Sequence, residues 1–295
     1  MKVPIAYLAV VAIWSTTPLG IVWSSESVSP TMAVLLRMLI AAVLSTLILI
    51  TFRIKLPLSK EALKLYAFSS LGVFGGMIFG YMAARHISSG LISLVFGFSP
   101  LVSGLLAQRI LNEPKFSPVR LLAFIIALVG LMIVCWDKIA LGSDAAVGIV
   151  FILLAMFFFS LSAVLVKSVT INIHPIATTL GALYVSVPLF ALTWFILDGN
   201  FTTAGWTLRS VAAIAYLGIF GSLVGFIAYF FILQKLKASS VALITLITPV
   251  FAISLGATLN NEEVTANLLI GAFCVVLGLS LYHWGEKWLL KRQLV

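Results

Sequence analysis

The chain has 295 residues, of which 62% are hydrophobic and only 9% are charged, with a net charge of +9. Soluble domains are about a quarter charged, so this composition excludes an ordinary soluble protein. The positive charge does not indicate nucleic-acid binding, because the basic residues are scattered at the ends of apolar segments instead of forming one basic surface. The composition predicts a polytopic helical membrane protein.

Ten apolar segments are each long enough to cross the hydrocarbon core of a bilayer, which takes about 20 residues of helix. In chain order they are residues 4–24, 30–51, 62–84, 88–110, 117–135, 147–168, 175–197, 208–233, 238–259 and 264–285. Short connections with turn residues separate them, such as Ser-Pro at 29–30 and Asp-Gly-Asn at 198–200. The sequence therefore predicts an all-α integral membrane protein with ten transmembrane helices and no soluble domain.

Basic residues are distributed unequally between the two sides of these spans. With the N-terminus placed inside, 14 Lys and Arg residues lie at inner helix ends and 3 lie in outer loops. Cytoplasmic loops are the ones that concentrate Lys and Arg. We therefore expect a multi-pass protein of the cell membrane with both termini in the cytoplasm.

Short motifs recur in the same order in both halves of the chain, 146 to 149 positions apart. The pairs are LGVFG at 71–75 with LGIFG at 217–221, Pro100 with Pro249, Asn112 with Asn261, Glu113 with Glu262, and Gly130 with Gly278. Each half contains five spans, an odd number, so the second copy must be inserted upside down. We expect two inverted-topology five-helix repeats, residues 1–142 and 143–295, around a central cavity.

Several residues carry a resemblance to a known family. They are Trp14-Ser-Thr-Thr-Pro in the first helix, Arg37 in the second, and the proline-centred fourth and ninth helices with a glutamate after each. Together they resemble the drug/metabolite transporter superfamily, specifically its ten-helix EamA-type members, over nearly the whole chain. Family members often have Gly after the tryptophan and a basic residue further on, where this chain has Ser15 and Val22. The resemblance implies a secondary transporter that exports small metabolites, most often amino acids and related compounds, by alternating access across a bacterial inner membrane.

Ionisable side chains are almost absent from the middle of the spans. The Asp and Glu residues all fall at helix ends or in connections, so no carboxylate is placed to relay protons through the core. We therefore expect facilitated or exchange transport. Arg37 is the exception, about 10 Å along the second helix at 1.5 Å per residue. It either snorkels to the outer interface, bonds helix-end carbonyls, or contacts an anionic group of the substrate.

Prolines and glycines mark where helices depart from regular packing. Pro18, Pro100 and Pro249 each free a carbonyl four residues earlier, which either kinks the helix for packing or supplies a hinge and an acceptor beside the cavity. Glycine stripes favour close helix packing, and they also leave room for substrate and for helices to slide. The stripes are Gly72, Gly76 and Gly80 in the third helix, and Gly221 and Gly225 in the eighth.

Hydroxyl and aromatic side chains supply the lining of the predicted cavity. Each hydroxyl taken singly bonds its own helix backbone, but together they form a neutral site with aromatic edges. The candidates for substrate binding are Trp14, Ser15, Thr17, Phe79, Tyr81, Ser99, Ser162, Tyr184, Tyr229, Thr245 and Thr248. Tyr81 and Tyr229 are equally compatible with the belts of aromatic residues that lie at the two membrane–water interfaces. Such a lining favours a small zwitterionic or weakly polar solute, since a multiply charged anion requires several buried cations.

The sequence contains no motif for catalysis or cofactor binding. It has no Walker A loop, no metal-spaced His and Cys cluster, and no His placed to serve a nucleophile. We expect a protein that is not an enzyme, uses no cofactor or metal, and binds the lipid bilayer and a small molecule but no nucleic acid, as a monomer or weak homodimer. The alternatives are export of amphipathic drugs or nucleotide-linked sugars, lipid flipping, or a role as a non-transporting membrane partner.

Overall fold

The computed structural model is an all-α bundle, and it describes residues 2–139, 143–236, 241 and 244–292. The helices are α1 Val3–Ser24, α2 Pro30–Thr51, α3 Lys60–Ala83, α4 Ser89–Ile110, α5 Pro118–Ile139, α6 Ser143–Lys167, α7 Pro175–Leu197, α8 Leu208–Lys235, α9 Ile244–Asn260 and α10 Ala266–Arg292. Within the described residues, nine helices are long and apolar enough to cross a membrane, and α9 supplies a shorter apolar helix. The predicted ten-helix membrane fold is confirmed.

The last two predicted spans both overlap apolar helices of the structure. The ninth span was expected over 238–259, of which 238–240 and 242–243 lie outside the described residues, as does the predicted boundary between the halves at 142. The predicted tenth span, 264–285, corresponds to the apolar segment Ala266–Gly285, and the helix itself continues to Arg292. Residues 286–292 include Glu, Lys, Leu and Arg, which are strong helix formers, so the apolar segment ends there but the helix does not.

Serine side chains begin several of the helices. Ser29 Oγ accepts a hydrogen bond from Met32 N at 3.4 Å, and Ser59 Oγ accepts one from Ala62 N at 3.2 Å. Each satisfies a backbone N–H that has no partner within its own helix. Pro30 occupies the first position of α2, where its missing N–H is harmless. The Ser-Pro pair at 29–30 is therefore a helix start as well as a turn.

The repeated LGVFG and LGIFG motifs both form π-helical turns. Leu71–Gly76 interrupts α3, and Leu217–Val224 interrupts α8, with α-helix on either side of each. A π turn shifts the backbone register, so nearby carbonyls need other partners. In α3, the Phe68 carbonyl accepts a hydrogen bond from Ser162 Oγ on α6 at 2.7 Å. The same distortion thus occurs at the same place in each half.

Helix α1 lies at the centre of the bundle, packed against α4, α8 and α9, while α5 and α10 pack along each other at one edge. Glycines bring α5 and α10 together: a Cβ at Gly130 would lie 2.7 Å from the Gly271 carbonyl oxygen. A Cβ at Gly278 would lie 2.6 Å from the Ala123 carbonyl oxygen. Only glycine permits this backbone approach. Gly130 and Gly278 are one of the repeated pairs, so the two halves contribute matching contacts.

Candidate substrate cavity

A cavity of about 440 Å³ opens among the helices at the end of the bundle where α1 begins and α6 and α8 end. We call this end the N-terminal face and the other end the opposite face. The lining comes from α1, α4, α5, α6, α8, α9, α10 and the connection after α4. Both halves of the chain therefore contribute to the cavity.

Three aromatic rings from three helices meet at the deep part of the cavity. The ring centroid of Trp14 on α1 lies 5.1 Å from that of Tyr229 on α8 and 5.6 Å from that of Phe159 on α6. The Phe159 and Tyr229 centroids are 5.7 Å apart. These separations fall in the range of favourable ring contacts. The rings, which we call the aromatic triad, offer an apolar surface on which a flat or apolar group can stack.

Helix α4 is interrupted at Phe98 and presents hydroxyl groups to the cavity beyond the break. Pro100 has no N–H and so removes one helical hydrogen bond. Phe98 N donates instead to the Val95 carbonyl at 3.0 Å, which forms a tighter turn. Ser99 and Ser103 then follow one helical turn apart, and both line the cavity.

Charged side chains of both signs lie around the mouth of the cavity at the N-terminal face. Glu113 follows α4, Arg120 lies at the start of α5, and Lys167 ends α6. The guanidinium carbon of Arg120 lies 5.5 Å from the ring centroid of Tyr282 on α10. A solute with one ammonium and one carboxylate finds complementary charges for both groups at this mouth.

Glu113 and Glu262 occupy the same local structure at the ends of α4 and α9. Each follows an asparagine in the left-handed conformation, with φ of 53° at Asn112 and 51° at Asn261. The amide of each glutamate donates to the carbonyl six residues earlier, at 3.2 Å and 3.1 Å. This hydrogen bond satisfies a carbonyl of the last turn of each helix, and asparagine tolerates the left-handed φ better than most residues. The repeated Asn-Glu pair therefore ends both helices in the same way.

The Glu262 carboxylate joins α9 to the start of α4 at the opposite face. Its Oε1 accepts a hydrogen bond from Ser89 N at 3.1 Å, and its Oε2 accepts from Ser89 Oγ at 2.9 Å and from Gly90 N at 3.3 Å. Because α4 begins at Ser89, these N–H groups have no partner within the helix, and the helix dipole favours a negative charge here. None of these three residues lines the cavity, which is closed off from them.

A second set of contacts extends this closure to α1 and α8. Trp23 Nε1 donates to Asn260 Oδ1 at 2.9 Å, and Asn260 Nδ2 donates to Glu262 Oε1 at 3.2 Å. Arg209 Cζ lies 4.9 Å from the Trp23 ring centroid, and its Nη1 lies 3.5 Å from Glu26 Oε2. We call the contacts around Glu262 and Asn260 the opposite-face latch. It links α1, α4, α8 and α9 on the side away from the cavity mouth.

Four of the residues predicted to bind substrate line the cavity. They are Trp14, Ser99, Tyr229 and Thr245, and Pro100 lines it with them. Thr248 is buried in α9 outside the lining. The chain thus brings together one candidate from α1, one from α4, one from α8 and one from α9.

Other candidates face elsewhere. Ser15 and Thr17 donate to carbonyls of their own helix, each at 2.7 Å. Ser162 lies against α3 and lines a small neighbouring cavity. Phe79 stacks on rings of α6, with its centroid 5.7 Å from that of Phe158. Ser162 and Phe79 thus connect neighbouring helices, and all four side chains lie outside the lining.

Tyr184, Arg37 and Tyr81 also lie away from the cavity. Tyr184 is 47% exposed on the outside of α7, and its hydroxyl lies 3.0 Å from that of Thr46 on α2. Arg37 does not reach an interface, since it is 1% exposed and packs against Tyr81.

The three candidate hinge prolines differ from one another. α1 and α9 continue through Pro18 and Pro249, whereas α4 is divided at Phe98 beside Pro100. One missing hydrogen bond does not end a helix whose neighbouring bonds persist. Only α4 among these helices is broken.

The lining also includes Phe159, Ser103 and Lys167, which are not among the residues predicted from the sequence. Phe159 and Lys167 are eight positions apart, so they share one face of α6. Ser103 follows Ser99 by four positions on α4. Helical spacing from the predicted residue Ser99 is thus the signal that identifies Ser103, whereas the predicted α6 residue, Ser162, does not line the cavity.

The ten-helix bundle, with a cavity open at one face and latched at the other, defines a membrane transport protein. The chain belongs to the EamA-like transporter family, whose model matches residues 1–136 and 146–283. It is similar to an uncharacterized transporter of Archaeoglobus fulgidus, with 26% identity over 95% of this chain and 98% of the other. It is also similar to the uncharacterized transporter YoaV of Bacillus subtilis, with 25% identity over 95% of this chain and 96% of the other.

Further similarities extend to a named bacterial protein and to a solved structure. The protein PagO of Salmonella typhimurium is 23% identical over 95% of this chain and 92% of its own. A protein crystal structure superimposes with a TM-score of 0.69 at 16% identity, covering 97% of this chain and 98% of the other. At that identity the likeness concerns the fold alone.

Proposed function

We propose that this protein exports small metabolites, amino acids or related compounds, by alternating access, as a facilitated carrier or an exchanger. The observation that carries the proposal is the one-sided cavity with the aromatic triad at depth and charges of both signs at its mouth. Binding cavities for small molecules have volumes of about 300–1,000 Å³. A volume of about 440 Å³ therefore suits a single small solute.

The chemistry of the lining favours a zwitterion with an apolar or aromatic side chain. Glu113 is placed to attract an ammonium group, and Lys167 is placed to attract a carboxylate. The aromatic triad accepts the rest of the solute through dispersion and ring contacts. A multiply charged phosphate finds no cluster of cations deep in this lining.

The direction of opening follows from the charge distribution along the chain. Basic residues are concentrated at the N-terminal face, so we infer that this face is cytoplasmic and that the cavity opens inward. The two inverted repeats, residues 1–142 and 143–295, then exchange roles to open the opposite face. The solute enters from the cytoplasm and leaves after the latch opens.

The distribution of carboxylates supports transport without proton coupling. Glu113 lies at the mouth and Glu262 lies in the latch, both after helix ends. Within the described spans, the middle of the membrane holds no carboxylate to carry a proton between the faces. The gradient of the solute itself, or exchange for another solute, drives movement.

Counterflow in liposomes tests this proposal. Vesicles loaded with single unlabelled amino acids should accumulate labelled neutral or aromatic amino acids, with equal rates with and without a pH gradient. Strict dependence on the gradient contradicts uncoupled transport. If no amino acid of the panel supports counterflow, the amino-acid assignment is wrong, and drugs, sugars and lipids are the solutes to test next.

Variants of the aromatic triad test the location of the site. Trp14→Ala or Tyr229→Ala should lower counterflow at least about tenfold, because each removes a ring contact and apolar area worth about 1.5–3 kcal/mol. Tyr184→Ala is the matched control, since this tyrosine faces outward from α7. Normal transport by both triad variants would show that the solute binds elsewhere.

A further inference from the structure

Arg37 occupies a fully enclosed site between the two halves of the chain. Its side chain is 1% exposed, and its Nε donates to Ser222 Oγ in the π turn of α8 at 2.7 Å. Its Cζ lies 5.9 Å from the ring centroid of Tyr81 on α3, which is fully buried. A Cβ at Gly221 would lie 3.1 Å from Arg37 Nη2, so the guanidinium packs closely on α8. Three helices thus surround one cation.

The charge of Arg37 is not balanced by the protein groups around it. Arginine stays ionised in proteins. In the part of the chain that the structure describes, Arg37 forms no ion pair, and its Nη1 has no hydrogen-bond acceptor. A ring contact and one hydroxyl bond offset only part of the desolvation of a buried cation. Buried charges are normally paired, and the need is greatest within a membrane.

The polar side chains that contact Arg37 are hydroxyls, which carry protons to donate but no charge. The Tyr81 hydroxyl is buried without a partner. Ser222 Oγ already accepts from Arg37 and points its own proton at Met38 Sδ, 3.7 Å away. A neutral hydrogen-bond acceptor satisfies such donors but leaves the positive charge of Arg37 unbalanced. A small anion accepts the hydrogen bonds and also balances the charge.

We propose that Arg37, Tyr81 and Ser222 bind a small monovalent anion, with chloride as the occupant. Arg37 Nη1 and the Tyr81 hydroxyl supply donors, and the guanidinium supplies the opposing charge. A solute carboxylate shares this chemistry, but none of the three residues lines the cavity. The anion ties α2 and α3 to the π turn of α8, and this role does not depend on which solute is carried.

Thermal unfolding of the detergent-purified protein tests the site. Stability should rise with chloride or bromide at constant ionic strength, relative to gluconate, and should saturate at millimolar concentrations. Arg37→Gln should abolish the halide dependence and match or exceed the wild-type stability in gluconate. Arg209→Gln is the control, because Arg209 is already paired with Glu26, and it should keep the halide dependence. Bromide should also appear by anomalous scattering beside Arg37.

A milder variant keeps the test decisive if Arg37→Gln fails to fold. Tyr81→Phe removes one donor without touching the charge, so it should weaken the apparent halide affinity about 3- to 10-fold. Absence of any halide effect in the wild type, with no bound bromide, overturns the proposal. Stabilisation by acetate but not by chloride also overturns it, because the occupant is then a carboxylate.

Discussion

The opposite-face latch should control how often the protein opens toward that face. Glu262→Gln removes the charge from a carboxylate that accepts two backbone N–H bonds and one hydroxyl bond at the start of α4. Hydrogen bonds to a charged group contribute about 1.5–3 kcal/mol each, and the amide keeps one acceptor. We expect a net loss of about 1.5–3 kcal/mol, which raises the ratio of open to closed forms about 10- to 100-fold, at 1.4 kcal/mol per factor of ten.

Labelling of a buried thiol measures this ratio. Ser93 is buried in α4 four residues after Ser89, and it lines neither the cavity nor the exterior. In a Ser93→Cys background, a charged thiol reagent should react slowly, since it reaches the thiol only when the latch opens. Adding Glu262→Gln should raise the labelling rate about 10- to 100-fold. The parent protein, with its half-buried Cys135 and Cys274, sets the background.

The neighbouring carboxylate supplies the control for this experiment. Glu263 is exposed and follows Glu262 directly, so Glu263→Gln changes the net charge equally without touching α4. It should leave the labelling rate unchanged. If Glu262→Gln and Glu262→Ala both label at the parental rate, the carboxylate does not hold this face closed and the reasoning fails.

Packing and helix ends give further predictions. Gly130→Ala should lower the apparent melting temperature through about 1–3 kcal/mol of overpacking against α10, whereas Gly80→Ala, whose Cβ would meet no atom within 4 Å, should be neutral or slightly stabilising. Asn261→Gly should preserve stability, and Asn261→Val should cost about 1–2 kcal/mol, because a β-branched residue resists a φ of 51°. Scanning fluorimetry of each variant in one lipid mixture distinguishes these outcomes.

Repeated motifs predicted the pseudo-symmetry of the fold better than single residues predicted the site. LGVFG and LGIFG both form π turns, and the two Asn-Glu pairs both end helices with the same left-handed asparagine. Such features are local, because a short motif determines its own backbone. A motif that recurs at a similar offset in both halves therefore identifies equivalent positions in the fold. It does so even where the sequence does not predict the local structure, such as the π turn.

The rotation of each helix about its axis is what the sequence did not determine. Membrane helices such as α7 are apolar on all sides, so no hydrophobic face distinguishes cavity from lipid. The aromatic ring and hydroxyl of Tyr184 predict a place in the cavity, yet Tyr184 lies on the outer surface, whereas Phe159 faces the cavity. Contacts between distant helices set these orientations. A polar side chain in such a helix indicates which span could line the cavity, but it does not indicate which face of that helix is turned toward the cavity.

The two glutamates of the repeat occupy one local structure but two different environments. Glu262 is bound to the start of α4, while Glu113 lies at the open mouth beside Lys167. Because the helix ends are alike, the difference arises from the arrangement of the halves. If Glu113 stabilises the form in which the N-terminal face is closed, Glu113→Gln should disfavour that form and slow labelling of Ser93→Cys. Faster labelling would contradict an exchange of roles between the two halves, since both carboxylates would then be acting on the same face.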